Sequence, residues 1–234
     1  MSEWIRSSSE EDGSTEGMYW YNSEDGKRAL FKPNDVLGQP RREYACCLIA
    51  GFLGIDNVKI ELIVLDGEFG CLSYDFKTDK RKNYKSASAI CFDKNTKIKF
   101  GYQSFLAHVN SYTQKQMIDM LFFDLLTNEK DRHQFNFEFE VDDFGSIIQM
   151  APIFDNGQSL FSQEQFSYIP WNFGEKERHF EVFEQALVNY RIQLYNLYSK
   201  CLTDRFQELI SCSAVSQYKD GIVKRLSQLD SYFS

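Results

Sequence analysis

Residues 128–136 read N-E-K-D-R-H-Q-F-N, and together with P-I-F-D-N-G at residues 152–157 they decide the fold. Asp131, Asn136 and Asp155 supply the groups that a phosphoryl-transfer site requires. In such a site a carboxylate orients an attacking hydroxyl and accepts its proton, while amide and carboxylate oxygens hold Mg²⁺ against the phosphates. The alternative is a solvated polar loop between a helix and a hairpin, but the occurrence of all three side chains favours the catalytic interpretation.

The order of residues in this stretch resembles that of a known enzyme family. The pattern D-R-H-x-x-N at residues 131–136 is similar to the catalytic loop of HipA-like kinases and of phosphoinositide kinases, which invert the H-R-D order of ordinary protein kinases. The segment that ends in F-D at residues 154–155 resembles the metal-binding aspartate segment of HipA-like proteins. The resemblance implies an α+β, bilobal, protein-kinase-like fold, with a small β-rich lobe at residues 1–76 and a larger, mainly helical lobe at residues 77–234.

The same resemblance implies a role for each polar side chain of the two segments. Asp131 would be the catalytic base, and Arg132 and His133 would order the loop. Asn136 and Asp155 would bind Mg²⁺, with ATP as the phosphate donor and a serine or threonine of a protein as the acceptor. Because phosphoinositide kinases share the loop pattern, a lipid or small-molecule kinase is an alternative, and a pseudokinase that acts as an interaction module is another.

The N-terminal part of the chain contains a second group of candidate nucleotide-binding residues. Residues 7–17 are small and polar, and they precede two stretches, residues 18–22 and 28–32, that predict a β-hairpin. A Gly/Ser loop before a strand that ends in L-F-K resembles the entry to a kinase lobe, where loop amides and a lysine contact the phosphates. The residues assigned to this role are Gly13, Ser14, Thr15, Gly17 and Lys32. A disordered terminus and an ordinary exposed lysine are the alternatives.

A helix predicted for residues 41–54 supplies a candidate partner for Lys32. Its apolar run ends at Gly54, and glycine commonly terminates helices. HipA-like kinases carry a similar Glu-Tyr pair at a helix start, so the resemblance makes Glu43 the residue that would hold Lys32 in place. The alternative is that Glu43 is an acidic residue favoured by the dipole at the helix N terminus.

The chain is expected to leave the small lobe after a hairpin whose turn is D-G at residues 66–67. In kinases the exit is the hinge, whose backbone groups bind the adenine edge. The residues assigned to adenine binding are Leu72, Ser73 and Tyr74. Residues 77–99 are rich in lysine and predict a solvated connecting segment, with a phosphate- or partner-binding patch as the alternative. Apolar residues then recur at helical spacing after residue 111 and again over residues 175–233, which predicts a helix before the catalytic loop and further helices at the C terminus.

The triplet D-F-G at residues 143–145 matches a metal-binding motif, but its position argues against that role. Asn136 lies at the start of a predicted strand and Asp143 in the turn at its end, about 20 Å away at the rise of an extended chain. Two ligands of one Mg²⁺ ion each lie about 2 Å from it, so these two residues are too far apart. Asp155 follows the returning strand, which antiparallel pairing brings back beside Asn136. We therefore predict that Asp155 binds the metal and that Asp143 is a turn residue.

The resemblance also implies regulation and partners. HipA-like kinases can be silenced by phosphorylation of a serine in the phosphate loop, and Ser14 and Thr15 are the candidates for self-phosphorylation here. An added phosphate would be repelled by the phosphates of the nucleotide. Family members often act as toxins paired with a DNA-binding antitoxin, or as secreted bacterial effectors. The expected partners are therefore a protein substrate and an antitoxin or regulatory protein.

Composition narrows the function classes further. The net charge of −8 argues against a nucleic-acid-binding surface, which requires basic patches. The six cysteines show no metal-ligand spacing and predict free thiols in a reducing cytoplasm. The start of the chain lacks the pattern of a signal peptide, and the longest apolar stretch, residues 44–55, is too short to span a bilayer. We expect a cytoplasmic protein, with secretion as an effector as the alternative.

Overall fold

The structure is a computed structural model, and it describes residues 3–7, 17–93, 97–98, 101–160, 171–172, 176–177 and 179–234. Its N-terminal sheet contains β1 (Trp4–Arg6), β2 (Tyr19–Ser23), β3 (Arg28–Pro33), β4 (Ile60–Leu65) and β5 (Glu68–Tyr74). The strands pair antiparallel in the order β1-β2-β3-β5-β4, and helix α1 (Gln39–Leu53) connects β3 to β4. This arrangement is the predicted small lobe.

The two faces of this sheet differ, and the difference positions the candidate site. Tyr21, Ala29, Phe31 and Leu72 form a buried apolar cluster on one face. Lys32 lies opposite Cys71 in the β3–β5 ladder. Because successive side chains point to opposite faces of a strand, Lys32 and Cys71 lie on the other face, toward α1.

Helix α1 belongs to the small lobe by sequence but packs into the core of the large lobe. It ends at Gly54, whose φ of 77° lets its N–H reach the carbonyl oxygens of Ala50 and Gly51. The residues of α1 that share the large core are Ala45, Cys46, Ile49, Ala50 and Leu53. Lys200 Nζ also donates to the carbonyl oxygen of Leu53 at 2.5 Å. Residues of α1 are therefore held in position by the large lobe as well as by the sheet.

The large lobe is built around one buried helix. Its elements are β6 (Asn83–Ser86), α2 (Ala87–Phe92), α3 (Tyr102–His108), α4 (Ser111–Thr127), β7 (Glu138–Val141), β8 (Ile147–Met150), β9 (Trp171–Asn172), β10 (Lys176–Glu177), α5 (His179–Cys201), α6 (Asp204–Ser211), a 3₁₀ turn (Ser216–Tyr218) and α7 (Lys219–Phe233). The side chain of Asn110 caps α4 by accepting from the N–H of Thr113, and the helix ends at Asn128 in the left-handed region. Every residue from position 117 to position 127 is buried, so the end of α4 is fixed where the catalytic loop begins.

One prediction for the large lobe was wrong. Residues 77–99 were expected to form a solvated connection, but they contain β6 and α2. Strand β6 pairs antiparallel with β7, which completes a three-stranded sheet in the order β6-β7-β8. The described charged residues of this stretch are exposed or half-buried, and they include Lys77 and Lys82, which pair with Glu138 and Glu140 of β7. The high lysine content of this stretch therefore reflects side chains in contact with solvent, and it does not indicate a lack of secondary structure.

The described helices also bear on membrane insertion. Among the residues that the structure describes, none forms a helix with the length and apolar character needed to cross a bilayer.

Candidate active site

Lys32 joins two carboxylates at the boundary between the sheet and the large lobe. Its Nζ lies 2.5 Å from Oε1 of Glu43, on α1, and 2.8 Å from Oδ1 of Asp155, which follows β8. Glu43 is fully buried, and the Lys32 side chain is only 5% exposed. Burial alone would lower the pKa of Lys32, but the charges of Glu43 and Asp155 outweigh it and raise this pKa above its usual value. The predicted Lys32–Glu43 ion pair is thus present, and Lys32 also pairs with Asp155.

Among the described residues, Arg132 is the largest fully buried side chain, and it connects three segments of the site. Its guanidinium pairs with Asp124 on α4, with Nη2 3.0 Å from Oδ1. Nη1 donates to the carbonyl oxygens of Asn136, at 2.9 Å, and of Phe154, at 2.8 Å. Nη2 also donates to Oδ1 of Asn156 at 2.6 Å. Arg132 therefore connects the loop to the segment that contains Asp155, through the carbonyl oxygen of Phe154 and the side chain of Asn156.

The electrostatics of this pair suit a permanent structural role. Burial would lower the pKa of Arg132, but the charge of Asp124 opposes it and raises the pKa above its usual value. Burial raises the pKa of Asp124, and the charge of Arg132 limits that rise. Because the guanidinium is fully engaged by protein groups and removed from solvent, it is not available to a ligand.

Asp131 is held by its backbone while its carboxylate remains accessible. Its N–H donates to Oε1 of Glu129 at 2.6 Å, and its carbonyl oxygen accepts from Nδ2 of Asn136 at 2.8 Å. The carboxylate is 49% exposed and lies 3.8 Å from Nε2 of His133. A fixed backbone with a half-exposed carboxylate is the arrangement that a base for an incoming hydroxyl needs.

Arg132 links the backbone at the two predicted metal ligands, since it donates to the carbonyl oxygens of Asn136 and of Phe154, the residue before Asp155. Asn136 uses its amide nitrogen within the loop, which leaves its oxygen as the group suited to a cation. Asp155 has a φ of 59° and a side chain that is 38% exposed. Burial would raise the pKa of Asp155, but the charges of Lys32 and Arg132 hold it below the usual value, so the carboxylate is ionised.

The donor set fits Mg²⁺ bound together with a nucleotide. Within the described ranges, no group of three or more His, Cys, Asp or Glu side chains is arranged to hold a metal ion. Mg²⁺ commonly uses one or two protein ligands and takes the rest from phosphates and water. One carboxylate and one amide oxygen, Asp155 and Asn136, match that chemistry.

The structure places the predicted adenine-binding residues inside a strand. Leu72, Ser73 and Tyr74 lie inside β5, which is paired with β3 on one side and β4 on the other. Their backbone groups serve the ladder, as in the bond from Tyr74 N–H to the carbonyl oxygen of Lys59. Leu72 also packs in the cluster on the face opposite Lys32. The exit from the sheet therefore begins after Tyr74, at residues 75–76, and the assignment of Leu72, Ser73 and Tyr74 to adenine binding stays a prediction.

Of the residues assigned to the phosphate loop, only Gly17 lies among the described residues. Gly13, Ser14 and Thr15 lie outside the described residues. Gly17 has a φ of 88°, a conformation that glycine adopts readily, and an added Cβ there would lie 3.9 Å from the side chain of Pro33.

Asp143 lies in an exposed turn, as predicted. The turn between β7 and β8 is closed by Oδ1 of Asp142, which accepts from the N–H groups of Phe144 and Ser146. Phe144 is 94% exposed, and Gly145 has a φ of 84°. The polar contact of Asp143 is with Nδ2 of Asn83 on β6, at 3.3 Å. The D-F-G triplet thus forms a hairpin turn, and none of its contacts reaches the Lys32 cluster.

Three residues of the site were missed by sequence reasoning. Glu129 is fully buried and accepts from Oγ of Ser159 at 2.5 Å as well as from Asp131. Asn156 donates its N–H to Oε2 of Glu43 at 3.2 Å. The only signal for these residues was proximity in sequence to Asp131 and Asp155, since a glutamate or serine in a polar loop is usually exposed.

The chain was compared with known proteins by family and by structure. The family model for the HipA-like C-terminal domain matches residues 8–215. A Helicobacter pylori proinflammatory kinase, CtkA, has a similar structure, with a TM-score of 0.67 and 15% identity over 96% of this chain and 93% of that one. HipA of Shewanella oneidensis MR-1, solved with HipB and operator DNA, gives a TM-score of 0.59 and 15% identity over 92% of this chain and 62% of that one.

These matches agree with the fold described above. No curated protein sequence matches the chain. The structural neighbours show a kinase-like α+β fold, and the family model covers most of the sequence, including both segments that meet at Arg132. The chain therefore belongs to the HipA-like C-terminal domain family.

Proposed function

We propose that this protein is an ATP- and Mg²⁺-dependent kinase that phosphorylates serine or threonine of a protein substrate. The observation that carries the proposal is the contact of Lys32 with both Glu43 and Asp155, beside a catalytic loop whose Asp131 carboxylate is half exposed. Membership of the HipA-like family supports it, as does the structural likeness to a protein described as a kinase.

Each residue has a chemical task in this proposal. Lys32 binds the nucleotide phosphates, and Glu43 keeps its ammonium aimed at them. Asp155 and Asn136 hold Mg²⁺, which neutralises charge on the phosphates during transfer. Asp131 orients the acceptor hydroxyl and takes its proton as the new oxygen–phosphorus bond forms.

The test is transfer of labelled phosphate from ATP to a generic protein acceptor, such as casein, with and without Mg²⁺. Asp131→Asn should keep nucleotide binding within about twofold and lower transfer by about 10²–10⁴-fold, because the base is lost while the backbone contacts of the loop remain. Equal transfer by the variant and the wild type would overturn the proposal. Transfer to lipid vesicles but not to protein would identify a lipid kinase, and nucleotide binding without transfer would identify an interaction module.

We also propose self-phosphorylation in the phosphate loop, at Ser14 or Thr15. The acidic residues around these positions would add to the repulsion between a new phosphate and a bound nucleotide. Intact-mass measurement after incubation with ATP and Mg²⁺ should show an added phosphate that maps to residues 1–20. A modified protein with no phosphate in that peptide would exclude the assignment.

The setting of the reaction is proposed from three further observations. All six cysteines are free thiols, which fits a reducing compartment such as the cytoplasm. The Shewanella HipA was solved with the protein HipB. We propose that this chain likewise has a regulatory protein partner, and that it does not itself contact nucleic acid, since its net charge is −8.

A further inference from the structure

Glu129 occupies an unusual position for an acidic residue. It is fully buried, and its carboxyl group lies between two segments of the site. Oε1 accepts from the N–H of Asp131 at 2.6 Å, and Oε2 accepts from Oγ of Ser159 at 2.5 Å. Ser159 is also fully buried and follows Asp155 in the chain. One carboxyl group therefore links the catalytic loop to the segment that carries the candidate metal ligand.

The surroundings of Glu129 make this link costly. The groups that face it are Arg132 on the same loop, Asp124 on α4 and the thiol of Cys46 on α1. Burial raises the pKa of Glu129 to about 7, the charge of Arg132 lowers it and that of Asp124 raises it. Placing a carboxyl group here disfavours its ionised form, so the fold alone gives little reason for an acid at this position.

We infer that Glu129 is a positioning residue for catalysis, which fixes the backbone of Asp131 relative to the Asp155 segment through Ser159. This inference rests on the proposed kinase function. Both backbone groups of Asp131 are hydrogen-bonded, since its N–H donates to the carboxyl group of Glu129 and its carbonyl oxygen accepts from the side-chain amide of Asn136. Loss of the first contact leaves the loop anchored at one side only. A shift of about 1 Å in a catalytic group can lower the rate by about 100-fold.

Three single variants and one double variant separate this role from simple packing. Glu129→Ala should lower kcat by about 10–100-fold and leave the Kd for Mg²⁺–ATP within about twofold, because Lys32 and Asp155 are untouched. Glu129→Gln should recover most of that loss, since the amide oxygen can accept from Asp131 and the amide nitrogen can donate to Ser159. Ser159→Ala should show an intermediate loss, and the Glu129→Ala/Ser159→Ala pair should be no worse than Glu129→Ala alone.

Amide hydrogen exchange at Asp131, measured by NMR on the full chain, supplies a readout that does not depend on activity. Protection of this amide should fall in Glu129→Ala, persist in Glu129→Gln and be unchanged in the control Asp143→Asn, which alters an exposed carboxylate of the β7–β8 turn. If Glu129→Ala does not fold, Ser159→Ala and Glu129→Gln still test the inference through kcat and exchange.

The outcomes are distinct from those of the proposed function. A kcat for Glu129→Ala within about twofold of the wild type, or equal loss of protection in the Ala and Gln variants, would overturn the inference. A wild type that transfers no phosphate would overturn the proposed function. In that case the positioning of Asp131 by Glu129 would be decided by the exchange experiment alone.

Discussion

One aspartate lies in the turn of the β7–β8 hairpin and another lies just beyond its second strand, and their environments are opposite. Asp155 follows β8 and meets Lys32, in a region where Glu43 and Arg132 are buried. Asp143 lies in the turn between β7 and β8, is exposed, and contacts a single asparagine side chain at 3.3 Å. Both are acidic residues next to a strand, and only Asp143 is followed by the letters F-G.

The difference shows that topology, and not a motif of three letters, decides which aspartate reaches the candidate site. A hairpin places its turn at the far end of two strands and its two outer ends side by side. Asn136 and Phe154 lie at the outer ends, where both carbonyl oxygens accept from Arg132.

The largest effect on stability is expected for Arg132→Leu. The substitution leaves Asp124 buried without its partner and removes the donors to Asn136 and Phe154, so the free energy of unfolding should fall by about 3–5 kcal/mol. Denaturant unfolding measures this. The double variant Arg132→Leu/Asp124→Leu should recover part of the loss, because it removes the unpaired charge. If the free energy of unfolding of the single variant decreased by less than about 1 kcal/mol, the network would not be what holds the site together.

The pH dependence of stability should reveal Glu129. Its pKa is raised to about 7 by burial, from the value of 4.5 that applies to an exposed glutamate. Between these values the folded protein holds a proton that the unfolded chain has released. The free energy of unfolding should therefore decrease as the pH rises from about 4.5 to about 7, by about 3 kcal/mol at most.

Glu129→Gln is the control for that measurement, since glutamine does not titrate. Denaturant unfolding at several pH values should show a smaller decrease over this range in the variant than in the wild type. Identical pH dependence in the two proteins would mean that Glu129 does not have a raised pKa in the folded state.

Lys32→Met should weaken Mg²⁺–ATP binding by about 10–100-fold, the value of a charge-assisted hydrogen bond to phosphate. The matched control is Lys85→Met, which removes a half-exposed lysine that pairs with Asp93 near the β7–β8 turn. Calorimetric titration of both variants compares the two regions directly. Equal affinities for the two variants would remove Lys32 from the nucleotide site.

The smallest effect is expected for Asp142→Ala. Its carboxylate closes the β7–β8 turn by accepting from Phe144 and Ser146, but the turn is exposed and water can replace both contacts. Thermal unfolding should show a loss of about 1 kcal/mol or less, with phosphate transfer unchanged. Loss of transfer would indicate that the turn takes part in the reaction.

The features that the sequence predicted correctly depend on short-range patterns. The helix Ser111–Thr127 follows from the apolar spacing after residue 111, and the turn at residues 142–145 follows from its Asp and Gly. The Lys32–Glu43 contact was implied by the family resemblance. These features need no knowledge of which distant strands pair.

The features that the sequence did not predict depend on distant partners. Strand β6 pairs with β7, which follows it in the sequence only after helices α2, α3 and α4. The hairpin of β4 and β5 was predicted from its turn at residues 66–67, but the pairing of β5 with β3 is not visible in the sequence. Glu129 is buried together with Ser159, which lies in a separate segment and donates to its carboxyl group.

The most direct test of the account compares Asp155→Asn with Asp143→Asn in ATP titrations with and without Mg²⁺. Asparagine removes one charge at each site and tolerates the positive φ of Asp155. The wild type should bind ATP more tightly with Mg²⁺ than without it. We predict that Asp155→Asn loses this gain and that Asp143→Asn retains it within about twofold. The reverse result, with the gain lost only in Asp143→Asn, would contradict the placement of the metal site and of the hairpin beside it.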